Sequence, residues 1–174
     1  MTEQQPYEVV ESHPGFELRR YPAHVVAEVS IAGSFERAGN AGFGPLVSYI
    51  SGRNRSGRAV EMTAPVIQEA ADATHHRVAF VMPRGSSVDT LPVPASDAVA
   101  VREVPEMLAA VDSFSGRWTE QSYLAHVARL LDAITAAGFV ATDRPRYARF
   151  DPPWKPFFLR RNEVVVPVAR RTAP

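Results

Sequence analysis

Apolar and polar residues alternate along the first part of the chain, and a period of two predicts strands. Glu8-Val9-Val10-Glu11 leads into the turn signal His13-Pro14-Gly15, after which Phe16 to Tyr21 alternates again. Val25, Ala27, Val29 and Ile31 fall on one face of a further strand, with Glu28 and Ser30 on the other. Such alternation suits an antiparallel sheet that rests one face on the core.

The period then lengthens. Phe43, Leu46, Val47 and Ile50 are spaced i, i+3, i+4 and i+7, the apolar stripe of a helix, and Ser34 is a suitable N-cap upstream. Gly39, Gly42, Gly44 and Pro45 argue against one regular helix from Ser34. The spacing therefore predicts a short or kinked helix that starts close to Pro45 and stops at Ser51-Gly52. A polar turn over residues 53–57 is followed by strand patterns over 59–68 and 77–82. Residues 83–98, with Pro83, Pro92 and Pro94 among Ser and Asp, read as a surface crossover.

A similar order follows. Residues 99–104 and 107–114 carry strand patterns, and Leu124, Val127, Leu130, Leu131 and Ile134 form a second helical stripe. Thr119 is its N-cap and Gly138 its stop, with Arg129 and Asp132 on the far side. Strands over 147–150 and 163–168 close the chain, and the His75-His76 pair is expected in a hairpin loop. Each half thus shows strands, one helix, then two strands. That order predicts an α+β fold: a pseudo-twofold distorted antiparallel β-barrel flanked by two α-helices, in a single domain spanning residues 1–174.

Composition narrows the function. A chain of 174 residues buries roughly 70% of the surface its unfolded form exposes. Lys plus Arg and Asp plus Glu number 19 each, so no net field draws the protein to nucleic acid or to an anionic membrane. There is no cysteine, which removes disulfides, thiolate nucleophiles and thiolate metal sites. The first residues lack the basic and apolar regions of an export signal, and no run reaches ~18 apolar residues. The expectation is a cytoplasmic protein without nucleic-acid or membrane partners.

Candidate chemistry gathers near the C-terminus. Residues 149–163 hold Pro152, Pro153 and Pro156 among Phe150, Trp154, Phe157 and Phe158, flanked by Arg149, Lys155, Arg160 and Arg161. Prolines stiffen the backbone, so such a loop presents apolar side chains at little entropic cost on binding. The alternative is that these aromatics simply cap the sheet.

Five segments in order carry a resemblance: Tyr49-Ile50-Ser51-Gly52-Arg53-Asn54, Met62-Thr63-Ala64-Pro65-Val66, Phe80-Val81-Met82-Pro83, Phe114-Ser115-Gly116, and Phe150-Asp151-Pro152-Pro153 through Arg160-Arg161-Asn162-Glu163-Val164. Together they resemble the SOUL/haem-binding-protein family, related to the gyrase-inhibitor-like fold, from about Tyr7 to Val168. The resemblance implies haem or another tetrapyrrole held in an apolar cleft between the first helix and the C-terminal loop. Carried over by position, the ligand contacts are Asn40, Phe43 and Val47 on the helix and Phe150 and Lys155 on the loop, with Trp154 of the same aromatic loop as a further candidate contact. Lys155 would meet a propionate, since a carboxylate beside an apolar site needs a cationic partner.

Two positions depart from the family. Asn40 stands where the best-studied type has a cation, and Arg19-Arg20-Tyr21 places Arg20 where a second type has an axial histidine. Arginine stays protonated and does not ligate iron. The five histidines, His13, His24, His75, His76 and His126, show no haem-attachment or metal spacing. The ligand expected is thus haem or porphyrin without an identifiable axial ligand, or a similar small apolar anion, on a monomer or weak dimer.

Two other readings compete with a non-enzymatic binding protein. A small-molecule hydrolase on the same scaffold would need a carboxylate of raised pKa, from Glu61, Glu163 or Asp151, although Glu163 is also placed to pair with Arg160 or Arg161. A protein-interaction module would use Trp154, Phe157 and Arg160 as anchors.

Overall fold

The computed structural model describes residues 2–171. In chain order its elements are β1 (Glu3–Gln4), β2 (Glu8–His13), β3 (Phe16–Tyr21), β4 (His24–Ala32), α1 (Phe35–Ile50), β5 (Thr63–Ala64), β6 (Val66–Ala70), β7 (His75–Val81), β8 (Ala100–Val104), β9 (Met107–Phe114), α2 (Glu120–Ala136), β10 (Phe139–Ala141), β11 (Arg146–Arg149), a 3-10 turn (Phe157–Leu159) and β12 (Asn162–Arg170). The chain forms two compact units: one holds the N-terminal segment through Pro6 together with Ala23–Pro105, the other Tyr7–Pro22 and everything from Glu106 onward. Each passage between them follows a proline: Pro6, Pro22 or Pro105.

In the first unit the strands run β6-β7-β4-β8, all antiparallel, with a separate parallel pair of β1 and β5. Ala27 lies opposite Phe80 and Val29 opposite Val78, so these side chains share one face with Val25. That face meets Leu46, Tyr49 and Ile50 of α1 in one apolar cluster. The reverse face is apolar too, with Val26, Ala79, Val81 and Val104 buried, so the alternation in β4 is cleaner in the sequence than in its burial.

Helix α1 is longer than the short helix expected to start close to Pro45. It runs 16 residues from Phe35 with Pro45 inside, and Ser34 sits at its N-cap without a side-chain hydrogen bond. Its buried face is Phe35, Ala38, Gly39, Gly42, Leu46, Tyr49 and Ile50. Two of the residues that read as helix breakers, Gly39 and Gly42, are thus part of the packing surface, while Gly44 and Pro45 are exposed. A Cβ on Gly42 would lie 2.7 Å from Val78 Cβ, so glycine is what lets the helix approach β7. Gly52, at φ +98°, ends the helix as expected.

In the second unit the order is β2-β3-β9-β12-β11, with β10 also pairing β12. Thr119 caps α2 by accepting from the Ser122 N–H at 3.2 Å, and Gly138 follows at φ +81°. The inward stripe of α2 is Tyr123, Val127, Leu130 and Ile134. Leu124 and Leu131, expected inward, face out at 52% and 36% exposure, because Tyr123 takes the inward place one residue earlier.

The predicted recurrence is real at the level of pairing. β7 lies between β4 and β6 in the first unit, and β12 lies between β9 and β11 in the second. Between the first and second of these strands comes α1 in one case and α2 in the other. The α+β class and antiparallel pairing agree with the sequence, while the strand path within each unit has two ends and does not close. His75 and His76 begin β7 rather than occupying a loop, and Met62 lies outside any strand at 38% exposure.

Candidate functional site

On α1, Asn40 and Phe43 are exposed and Val47 is half-buried at the margin of the apolar cluster. Their spacing places them on one helix face. Phe43 is 41% exposed, with its ring 5.3 Å from that of buried Phe80, so the core holds one edge and leaves the rest open. From Ala38 to Ile50 the helix carries no Asp, Glu, Lys, Arg or His, and its exposed positions include Asn40, Ala41, Phe43, Gly44 and Pro45. An exposed helix face normally bears charge. This one is small, flat and uncharged.

The C-terminal loop of the second unit is tied by its own polar groups. The Phe150 N–H donates to the Arg161 carbonyl at 3.2 Å, closing the base. Asp151 accepts from Lys155 Nζ at 2.6 Å and from the Arg161 N–H at 2.6 Å. Burial raises the Asp151 pKa, but the hydrogen bonds from Arg161 and Lys155 outweigh it and hold the carboxyl below its ordinary value. Arg160 Nε donates to the Lys155 carbonyl at 2.7 Å and another Arg160 nitrogen donates to the Pro153 carbonyl, strapping the loop from inside. Gly116, at φ +138°, donates its N–H to the Phe157 carbonyl at 3.1 Å and pins the 3-10 turn from outside.

So held, the loop turns its large apolar residues outward. Trp154 is 83% exposed, Phe158 63% and Leu159 58%, while Phe150 is half-buried beneath the Arg161 guanidinium at 4.0 Å. Lys155 is placed as a loop tie to Asp151, with two of its three protons left for another acceptor. Beside Phe150, Arg149 stacks on Trp118 at 3.5 Å, and burial pulls its pKa down to about 10 against the influence of Tyr123.

Glu163 is the most heavily engaged acid of this unit. At 1% exposure it accepts from Arg19 Nη1 at 3.0 and 3.1 Å, from Ser113 at 2.7 Å and from Arg161 at 2.7 and 3.0 Å. The expected pairing with Arg161 is present, and Arg160 turns to backbone carbonyls instead. Burial alone would lower the Arg19 pKa, yet Tyr21 and Glu163 beside it leave it raised. Of the three carboxylates weighed for hydrolysis, Glu61 is exposed and Asp151 and Glu163 are already paired.

No histidine lies on α1 or on the C-terminal loop. Gln5 Nε2 is 3.1 Å from His24 Nε2, His13 pairs with Glu11, His75 with Asp72, and His126 with Asp112 while stacking on Phe114 at 3.5 Å. Arg20, at the axial position of one family type, is exposed and bonded to Glu8 at 3.0 Å. Among the described residues no group of three or more His, Asp or Glu side chains is placed to hold a metal ion.

The family model described as SOUL heme-binding protein matches residues 2–167. The chain belongs to the SOUL heme-binding protein family. Heme-binding protein 1 of Xenopus tropicalis is 27% identical over 156 residues, covering 86% of this chain and 81% of that protein. Among solved structures, the EcmrR C-terminal domain superposes at TM-score 0.70 and 13% identity, over 94% of this chain and 98% of that one. A hydrolase from Listeria innocua gives 0.57 at 13% identity, over 97% and 94%. At such identities these structures share the fold. Among the described residues no helix is long and apolar enough to cross a membrane.

Haem is thus a ligand this family implies, and the residues present fit part of it. The uncharged α1 face and the aromatic loop suit the apolar ring, and Lys155 suits a propionate. Neither surface offers an imidazole, a thioether or a thiolate to iron. Pattern reading missed Arg160 as the strap and Gly116 as the pin. Its available signal was the lack of charge over residues 38–50.

Proposed function

We propose that this SOUL-family chain is a non-enzymatic binding protein for haem or a related flat tetrapyrrole, gripped by burial of its ring rather than by iron ligation. Phe150, Trp154 and Lys155 of the loop are proposed as one contact surface, and Asn40, Phe43 and Val47 of α1 as a second one, each in its own unit. The observation that carries this reading is a row of exposed aromatics on a loop whose backbone is already fixed by Asp151, Arg160 and Gly116. A surface prepared in this way loses little freedom when a ligand covers it. The paired state of Asp151 and Glu163 favours binding over hydrolysis, since neither is left as a general base.

Absorbance or fluorescence titration with hemin tests the reading. Saturable binding at micromolar protein is expected. Trp154→Ala and Phe43→Ala should each weaken it about tenfold, the scale of removing one aromatic side chain from a ring face. No saturable change, or two variants that bind like the parent, would overturn it. An unaltered solution mass in Trp154→Ala, with weakened binding, would separate a ligand surface from a dimer interface.

A further inference from the structure

A cavity of about 300 Å³ lies within the first unit, between the turn that follows α1 and the loop that precedes β8. Its lining includes Arg58, Val60, Arg84, Ser86, Thr90 and Leu91, none of them among the tetrapyrrole contacts proposed above. We propose that this cavity is a second binding site, for a small organic anion that carries a phosphate group.

Two arginines and no acidic residue line the cavity, although exposed Glu61 and Asp89 adjoin lining residues in the chain. Glu3 accepts from the backbone N–H of Arg84 at 2.9 Å and not from its side chain. Among the described residues the Arg84 guanidinium and the Ser86 hydroxyl make no hydrogen bond or ion pair. Arginine offers paired N–H donors that match the oxygens of a phosphate, and a serine hydroxyl adds a third direction of approach.

The walls of the cavity are held in place by their own hydrogen bonds. Asn54, 8% exposed, donates to the Arg58 carbonyl at 2.7 Å and to the Tyr49 carbonyl at 3.0 Å, and accepts from the Arg58 N–H at 3.3 Å. Arg58 in turn donates to the Thr90 carbonyl, linking the two walls. The facing wall is closed by Ser87 and Thr90, with the Ser87 N–H on Thr90 Oγ1 at 2.9 Å and the Thr90 N–H on the Ser87 carbonyl at 3.1 Å. A site of this kind needs little rearrangement to accept a ligand.

Val60 and the edge of Leu91, itself 8% exposed and packed in the core, add a small apolar patch to a lining that is mainly polar. The volume sits at the lower end of small-molecule pockets, which run from roughly 300 to 1,000 Å³. A phosphomonoester with a small apolar group matches both the charge and the size.

Calorimetry on the full chain at low salt, with phenyl phosphate and inorganic phosphate as probes, decides the matter. Phenyl phosphate should bind saturably and several-fold more tightly than inorganic phosphate. Arg84→Gln and Arg58→Gln should each weaken it by roughly tenfold, the loss of one charge-assisted pair, with hemin titration unchanged. Arg58→Gln also removes the hydrogen bond to Thr90, so Arg84→Gln, whose side chain ties nothing else down, is the decisive variant. Absence of saturable phenyl phosphate binding, or wild-type affinity in Arg84→Gln, would overturn the site. Equal affinity for inorganic phosphate would overturn its assignment to an organic anion.

Discussion

Glu163 shows how much of the second unit rests on single polar groups. A carboxylate at 1% exposure between Arg19 and Arg161 is stabilising only while both cations stay in place, and removing it leaves the buried guanidinium of Arg19 with half-exposed Glu17, at 2.7 Å, as its remaining acid. Glu163→Gln is expected to cost about 3 kcal/mol in urea unfolding, within the range for breaking a buried pair. A loss under about 1 kcal/mol would mean that the pair is no better than a surface bridge. Asp151 gives a pH dependence of definite sign. Its pKa is lowered in the folded chain, so its contribution is present above the ordinary carboxylate value of 3.8 and is lost as pH falls through the lower folded value. Acid stability curves of the parent and Asp151→Asn should therefore converge below pH 3.8, with the variant less stable above it. Curves that stay parallel across that range would contradict the role given to Asp151.

At the scale of elements, α1 holds the clearest pair of opposite predictions. Gly42 and Gly44 are both helical, and alanine is favoured over glycine in a helix by about 1 kcal/mol. At Gly44 nothing outside its own helix and chain neighbours lies within 4 Å of an added Cβ, so Gly44→Ala should raise the midpoint of thermal unfolding, by less than the full propensity gain because Pro45 crowds a Cβ on the residue before it. At Gly42 the added carbon would meet Val78 Cβ at 2.7 Å, so Gly42→Ala should lower it. The same residues explain why α1 was only half legible. Propensity treats glycine as a cost, and only the distance to β7 reveals that a bare backbone is what the packing requires. In α2, by contrast, the Thr119 cap and the Gly138 stop were readable because they are local chemistry. Val127, Leu130 and Ile134 of the expected stripe face inward, while Tyr123 takes the place of Leu124, since both are apolar and nothing local decides which turns inward.

Across the whole molecule, the α+β class and the recurring order were legible because they depend on period, and family membership because five short segments kept their order. Several of those segments proved to be anchors. Asn54 fastens the turn after α1, Gly116 pins the C-terminal loop, and Glu163 locks the last strand. The exposed row from Trp154 to Leu159 was visible only as composition, because whether an aromatic loop covers a core or faces outward depends on the polar ties beneath it. The passages between the two units at Pro6, Pro22 and Pro105 were not legible, since pairing between distant strands leaves no local mark. The central claim is that the ring is gripped and the iron is not. Parallel titrations with hemin and iron-free protoporphyrin measure this directly. Ring burial predicts dissociation constants within about threefold of each other, a difference under 1 kcal/mol. Hemin binding more than about thirtyfold tighter, near 2 kcal/mol, would contradict it and point to an iron ligand that the two surfaces do not provide.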